Sequence, residues 1–157
     1  MNDRPSQLIQ QLQLAPHPEG GHYREIFRSE LKVGFNSGER DALTSIYFLL
    51  QKGEASRWHV VDADEVWHFY EGDQLELWIM PPDLSKAEKI ILGEVSEHSK
   101  PVHVIPAGWW QAARSIGEYT LCGCSVAPGF EFAGFRFLKE EEKEKVKLLK
   151  EVPEKFL

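Results

Sequence analysis

The sequence predicts an all-β domain, built as a sandwich or barrel. Three observations carry this. Between His22 and Leu138 the chain falls into short runs that alternate or read as continuous apolar strand formers. Glycine, proline and aspartate clusters break those runs at roughly every 8–12 residues, the rhythm of hairpin-linked strands. Helical periodicity is confined to the two ends, which leaves no helices to make βαβ crossovers.

The first element is an amphipathic helix over Ser6–Leu14, with Leu8, Ile9 and Leu12 on one face and Ser6 as its cap. Pro16 and Pro18 end it, and Gly20-Gly21 permits a turn with positive φ. Strands are then expected at His22–Arg28, Thr44–Leu50, Ser56–Val61, Glu65–Tyr70 and Gln74–Met80. The series continues with Lys89–Leu92, Val102–Ile105, Trp109–Arg114, Tyr119–Ala127 and Phe130–Leu138. The breaks include Gly34–Gly38, Asp62–Asp64, Gly72-Asp73, Pro106–Gly108 and Pro128-Gly129. Lys139–Glu151 reads as a charged helix with a small apolar patch at Val146, Leu148 and Leu149, limited by Pro153 and lying against the barrel.

Length and charge narrow the function. The 157 residues make one domain, 1–157, with a barrel core about 20–138. The net charge of −7 disfavours a nucleic acid polymer or an anionic membrane surface, where positive charge supplies most of the affinity. The polar N-terminus, Met1-Asn2-Asp3-Arg4-Pro5, lacks the apolar core of a signal peptide, and no run approaches the ~20 apolar residues of a membrane span. Cys122 and Cys124, spaced i, i+2 on a strand, lie about 6.5–7 Å apart, at or beyond disulfide reach. They read as free, packed thiols in a reducing cytoplasm.

The informative stretch runs from Gly53 to Gly72. Gly53, His59, Glu65 and Gly72 stand at the spacing of the first cupin motif, and Val61 stands where that motif has its second His. The second motif is represented by Pro106-Ala107-Gly108-Trp109-Trp110-Gln111, with Gln111 at the His position. Its leading Gly and trailing Asn are replaced by Lys100 and Ser115. Further stretches are similar to the "cupin 5" family, domain of unknown function 985. They are His17–Glu25, Thr44–Leu50, Trp58-His59, Asp64–His68 and Ala127–Phe132. The resemblance covers roughly residues 6–138 and implies a single jelly-roll (cupin) barrel with short N-terminal and C-terminal helices, often dimeric. Five Trp and nine Phe agree with a homodimer, because interfaces are rich in aromatics.

Strand alternation places the candidate side chains. An inward His59 carries Val61 inward, an inward Glu65 carries Trp67 and Phe69, and an inward Gln111 carries Trp109. Polar groups converging in an aromatic-walled pocket suit a small molecule. Metal-binding cupins use three His and one Glu. Any divalent metal would here rest on the reduced set His59, Glu65 and Gln111, so no cofactor is firmly implied. The resemblance also implies metal-free sugar or sugar-nucleotide isomerase and epimerase chemistry, with a His base and a Tyr acid. On that reading His59 is the base, Glu65 orients it, and Tyr47 and Tyr119 are candidate acids. Arg24 and Arg57 would pair with a phosphate or carboxylate of a nucleotide-sugar or small acid, and Trp67, Phe69 and Trp109 would stack on the ligand. His17 and Glu19 either flank the pocket through the Gly20-Gly21 turn or only shape that turn. The competing classes are a non-catalytic ligand-binding module and a metal-dependent oxygenase or lyase.

Overall fold

The computed structural model describes residues 3–157; Met1 and Asn2, the head of the polar N-terminus, lie outside the described residues. The elements run α1 (Arg4–Leu12), β1 (Ala15–Pro16), β2 (His22–Arg28), β3 (Lys32–Phe35), β4 (Gly38–Asp41), β5 (Thr44–Gln51) and β6 (Ser56–Val61). They continue with β7 (Asp64–Gly72), β8 (Leu75–Met80), β9 (Glu88–Leu92), β10 (Val102–Ile105), β11 (Trp110–Ser115) and β12 (Tyr119–Ala127). A 3-10 turn at Phe132–Gly134, β13 (Phe135–Phe137), α2 (Glu140–Lys147) and a last 3-10 turn at Glu154–Phe156 complete the chain.

The strands form two facing sheets of a jelly-roll barrel. The larger has the order β1-β2-β5-β12-β7-β10 and the smaller β13-β6-β11-β8-β9, while β3 and β4 make a separate hairpin. Most neighbours are distant in sequence and every named pairing is antiparallel, as a jelly roll requires. No helix among the described residues is long and apolar enough to cross a membrane.

Three apolar clusters explain why several strands read as continuous apolar runs. Inside the barrel, Phe48, Leu50, Trp67, Leu75 and Leu77 meet between the sheets. On β5 the intervening Leu49 faces outward, where Leu8 of α1 and Leu14 just after it cover it. On β8 the intervening Trp78 and Met80 face outward and join Trp58, Trp110, Val146 and Phe156 beneath the C-terminal segment. Both faces of β5 and β8 are thus buried, so period-2 alternation vanishes from those strands.

The helices differ from expectation in detail. Asp3, not Ser6, caps α1, its Oδ1 accepting from the Ser6 amide at 3.0 Å. Pro5 lies in the first turn, where its missing N–H costs nothing, so the helix starts earlier than the polar sequence suggested. The C-terminal helix is shorter than Lys139–Glu151, spanning Glu140–Lys147. Arg136 pairs with Glu142 at 2.8 Å, and the Glu142 carboxylate accepts from the Lys139 amide, also at 2.8 Å. The expected strand over Phe130–Leu138 is only Phe135–Phe137, preceded by the 3-10 turn. The β3–β4 hairpin occupies the stretch read as a break at Gly34–Gly38. Four of the five tryptophans, Trp58, Trp67, Trp78 and Trp110, are buried within this one chain, so the aromatic load is no argument for an interface.

Candidate acid–base site

Hydrophobic side chains fill the barrel around Trp67, and above them a cavity of about 380 Å³ remains. Its polar side is made by residues from four places. His17 and Glu19 come from the loop between β1 and β2, His59 from β6, and Glu65 from β7. Cys124 on β12 completes that side.

The loop is seated by glycine. Gly20 has φ +115°, and a Cβ there would stand 1.9 Å from the Ala55 carbonyl oxygen. Only a glycine lets the loop approach the start of β6 this closely. Once seated, the Glu19 carbonyl accepts from the Arg57 amide at 2.9 Å, and Glu19 Oε1 accepts from Ser56 Oγ at 2.9 Å. The Glu19 amide donates to His17 Nδ1 at 3.1 Å. A neutral His17 therefore carries its proton on Nε2.

His59 and Glu19 form a dyad. His59 Nδ1 lies 2.7 Å from the Arg57 carbonyl oxygen, an acceptor only, so Nδ1 holds a proton and donates it. His59 Nε2 then faces Glu19 Oε2 at 3.1 Å. Burial lowers the His59 pKa and raises that of Glu19, so both shifts favour the uncharged forms. With both groups uncharged, the proton belongs to Glu19 Oε2, within reach of His59 Nε2. Burial likewise lowers the His17 pKa.

Glu65 is held separately. Its Oε2 accepts from Gln111 Nε2 at 2.7 Å, and Gln111 Oε1 accepts from Trp67 Nε1 at 2.7 Å. The indole can only donate, so it fixes which way the amide points. Burial pushes the Glu65 pKa up to about 7, with the nearby Glu19 carboxyl also raising it and His59, Gln111 and Cys124 drawing it back. Such a carboxyl changes charge near neutral pH.

Several expected residues take other positions. Glu65 does not hydrogen-bond His59: its Oε2 accepts from Gln111, its charge reaches His59 only through space, and Glu19 Oε2 takes the place beside His59 Nε2. Tyr47 and Tyr119 do not line the cavity. Both pack with the cluster beneath α1, and Tyr119 donates to Glu71 at 3.1 Å. Of the chain's four tyrosines, all within the described residues, only Tyr23 lines the cavity. Arg24 reaches the Leu12 carbonyl, while Arg57 bonds Pro18 O and lies over the Phe137 ring at 4.5 Å. Trp67, Phe69 and Trp109 do point into the barrel, but they pack in its filled part. The apolar walls are instead Ile46, Val61, Val126, Phe130 and Phe132. Alternation gives the face of the sheet a side chain occupies; it does not give its depth along the barrel.

The metal set proposed from sequence does not fit. The Gln111 oxygen is turned to Trp67, Val61 offers no donor, and His59 Nε2 faces Glu19. No group of three or more His, Cys, Asp or Glu side chains placed to hold an ion occurs among the described residues. Cys122 and Cys124 are free and buried, and burial drives both thiols well above their usual range. The residues that alternation missed, Phe130 and Phe132, lie in the Ala127–Phe132 stretch, and His17 and Glu19 lie in His17–Glu25. Their signal was motif likeness in loops, which strand periodicity does not reach.

Residues 6–138 match the family model described as Cupin superfamily (DUF985). The uncharacterized protein YML079W of Saccharomyces cerevisiae is 28% identical over 152 residues, covering 87% of this chain and 76% of that protein. A hypothetical protein from Leishmania major has a similar structure, with TM-score 0.82 at 28% identity, over 92% of this chain and 96% of that one. Protein SO0799 from Shewanella oneidensis gives TM-score 0.80 at 30% identity, over 96% of each chain.

Proposed function

The chain belongs to the Cupin superfamily (DUF985), and on that premise we propose that it binds a small polar ligand in the barrel cavity and moves a proton on it. The observation that carries this reading is the Glu19–His59 dyad, 3.1 Å between Oε2 and Nε2, on the polar side of a cavity whose other walls are apolar. A carboxyl and an imidazole sharing one proton are a competent base at neutral pH. Glu65, with its pKa about 7, is a second proton carrier in the same cavity. His17 Nε2–H is a donor available to a ligand carbonyl oxygen.

The chemistry these groups support is isomerisation or epimerisation next to a carbonyl. The Glu19 proton passes to His59 Nε2, the Glu19 carboxylate so formed takes a proton from carbon, and the electron pair of that C–H bond moves onto the carbonyl oxygen, which His17 stabilises. Glu65 returns a proton to the same carbon, or to the neighbouring carbon once that carbon's hydroxyl proton has passed to the former carbonyl oxygen; the dyad then loses its extra proton to solvent and Glu65 regains one. Nothing is oxidised or reduced.

Solvent exchange tests this. Sugars and related hydroxy-carbonyl compounds are incubated with the protein in D2O and followed by NMR. Deuterium entering at a carbon beside the carbonyl is the expected result, and His59→Ala should abolish it while the fold survives. Exchange that persists in His59→Ala would overturn the dyad as base. Binding without exchange would make the protein a non-catalytic binding module. The homodimer is also a proposal, supported by exposed apolar side chains at Phe27, Val102 and Val104 in the large sheet, and sedimentation tests it. A reducing, cytoplasmic setting suits the two free thiols.

A further inference from the structure

We infer that the cavity takes an uncharged ligand, a neutral sugar or hydroxy-carbonyl compound with one apolar face, and rejects phosphates, carboxylates and nucleotide-sugars. This rests on the binding reading above and specifies its ligand class.

The first argument is charge. Four carboxyl groups line the cavity, those of Glu19, Glu25, Glu65 and Glu131, against one guanidinium, Arg28. That guanidinium is already engaged. It donates to Glu25 at 2.7 Å, to Asp41 at 2.9 Å and to the Phe130 carbonyl at 3.0 Å. The neighbouring Arg40 is held by Asp62 at 2.7 Å and lies over Phe35 at 4.4 Å. Arg24 and Arg57 point elsewhere, as described above. A phosphate or carboxylate entering the cavity would lose its water and gain no cation.

The second argument concerns the polar side itself. Its carboxyls are internally partnered, Glu19 by Ser56 and His59 and Glu65 by Gln111. An ammonium ligand would have to displace those bonds to reach a carboxylate. Groups that both donate and accept, against facing apolar walls at Val61, Val126, Phe130 and Phe132, match a ring with hydroxyls on one face and C–H on the other.

The test uses matched compounds on shared skeletons: aldoses and ketoses, the corresponding uronates and sugar phosphates, the corresponding amino sugars, and nucleotide-sugars. Thermal shift ranks them and calorimetry gives Kd. Neutral members should bind at least about tenfold tighter than their charged counterparts, the smallest margin that separates classes. Glu131→Lys, at an exposed position on the rim, should narrow the gap for the acids. An anionic or amino compound that binds as well as its neutral counterpart would overturn the ligand class and leave the dyad untouched. Silence from every series would overturn the binding reading and the ligand class together.

Discussion

At the residue scale, the cavity depends on how protons are shared rather than on fixed charges. Glu19→Gln keeps an acceptor for Ser56 but cannot exchange a proton with His59. Solvent exchange on a bound ligand should fall by about 10²–10⁴-fold, the usual worth of a positioned acid–base group, with thermal stability nearly unchanged. NMR exchange rates and a melting curve check this together. Glu65 makes a prediction about pH. Its folded pKa, about 7, lies above the ordinary carboxyl value of 4.5. Its contribution to stability is therefore fully present below pH 4.5 and is lost as pH rises through about 7, because the folded state then has to ionise a buried group. At ~1.4 kcal/mol per pKa unit the lost contribution is of order 3 kcal/mol. Glu65→Gln cannot ionise, so its stability relative to wild type should rise between pH 4.5 and 7 and flatten above. Urea denaturation of both proteins across that range measures the difference. A flat difference would mean the carboxyl titrates normally.

At the element scale, two non-strand segments build the site. The His17–Gly21 loop brings in His17 and Glu19, and the segment around Phe130 and Phe132 forms a wall. The second is pinned by the Phe130 amide donating to Thr44 Oγ1 at 2.9 Å and the Gly129 amide donating to the Asp41 carbonyl at 2.6 Å. The first is pinned by the close approach of Gly20 to Ala55. Gly20→Ala cannot be accommodated without moving the loop, because the obstacle is backbone and φ is positive. It should cost at least about 2 kcal/mol and take Glu19 away from His59. The expected readout is a lowered melting temperature together with loss of ligand-induced stabilisation. Retention of both would show that the loop has room the structure does not display. These segments were legible only as motif likeness, since loops carry no hydrophobic period.

At the scale of the whole molecule, the barrel is wrapped on both outer faces, by α1 on the large sheet and by the C-terminal segment on the small one. Phe156 is fully buried there, 6.1 Å from the Trp58 ring and edge-on to it. Phe156→Ala should therefore destabilise the protein by about 3–5 kcal/mol, although the residue is next to last in the chain. Chemical denaturation checks the size. The cavity lies on the other side of the small sheet, so ligand response at low temperature should survive. A tail that merely rested on the surface would give a change within about 0.5 kcal/mol.

By itself the sequence determined most of the strands from His22 to Ala127 and the inward face of His59, Glu65 and Gln111, because alternation and turn chemistry are local, while the β3–β4 hairpin and the pairing of β6 with β11 came from the structure. Only the tertiary structure decided who partners whom. It put Glu19 rather than Glu65 on His59, turned Gln111 toward Trp67, and moved Tyr47 and Tyr119 away from the cavity. Depth along a barrel axis and the landing point of a loop are set by contacts between segments far apart in the chain. Glu19 meets Ser56 across 37 residues and Gln111 meets Glu65 across 46, separations that no local period encodes.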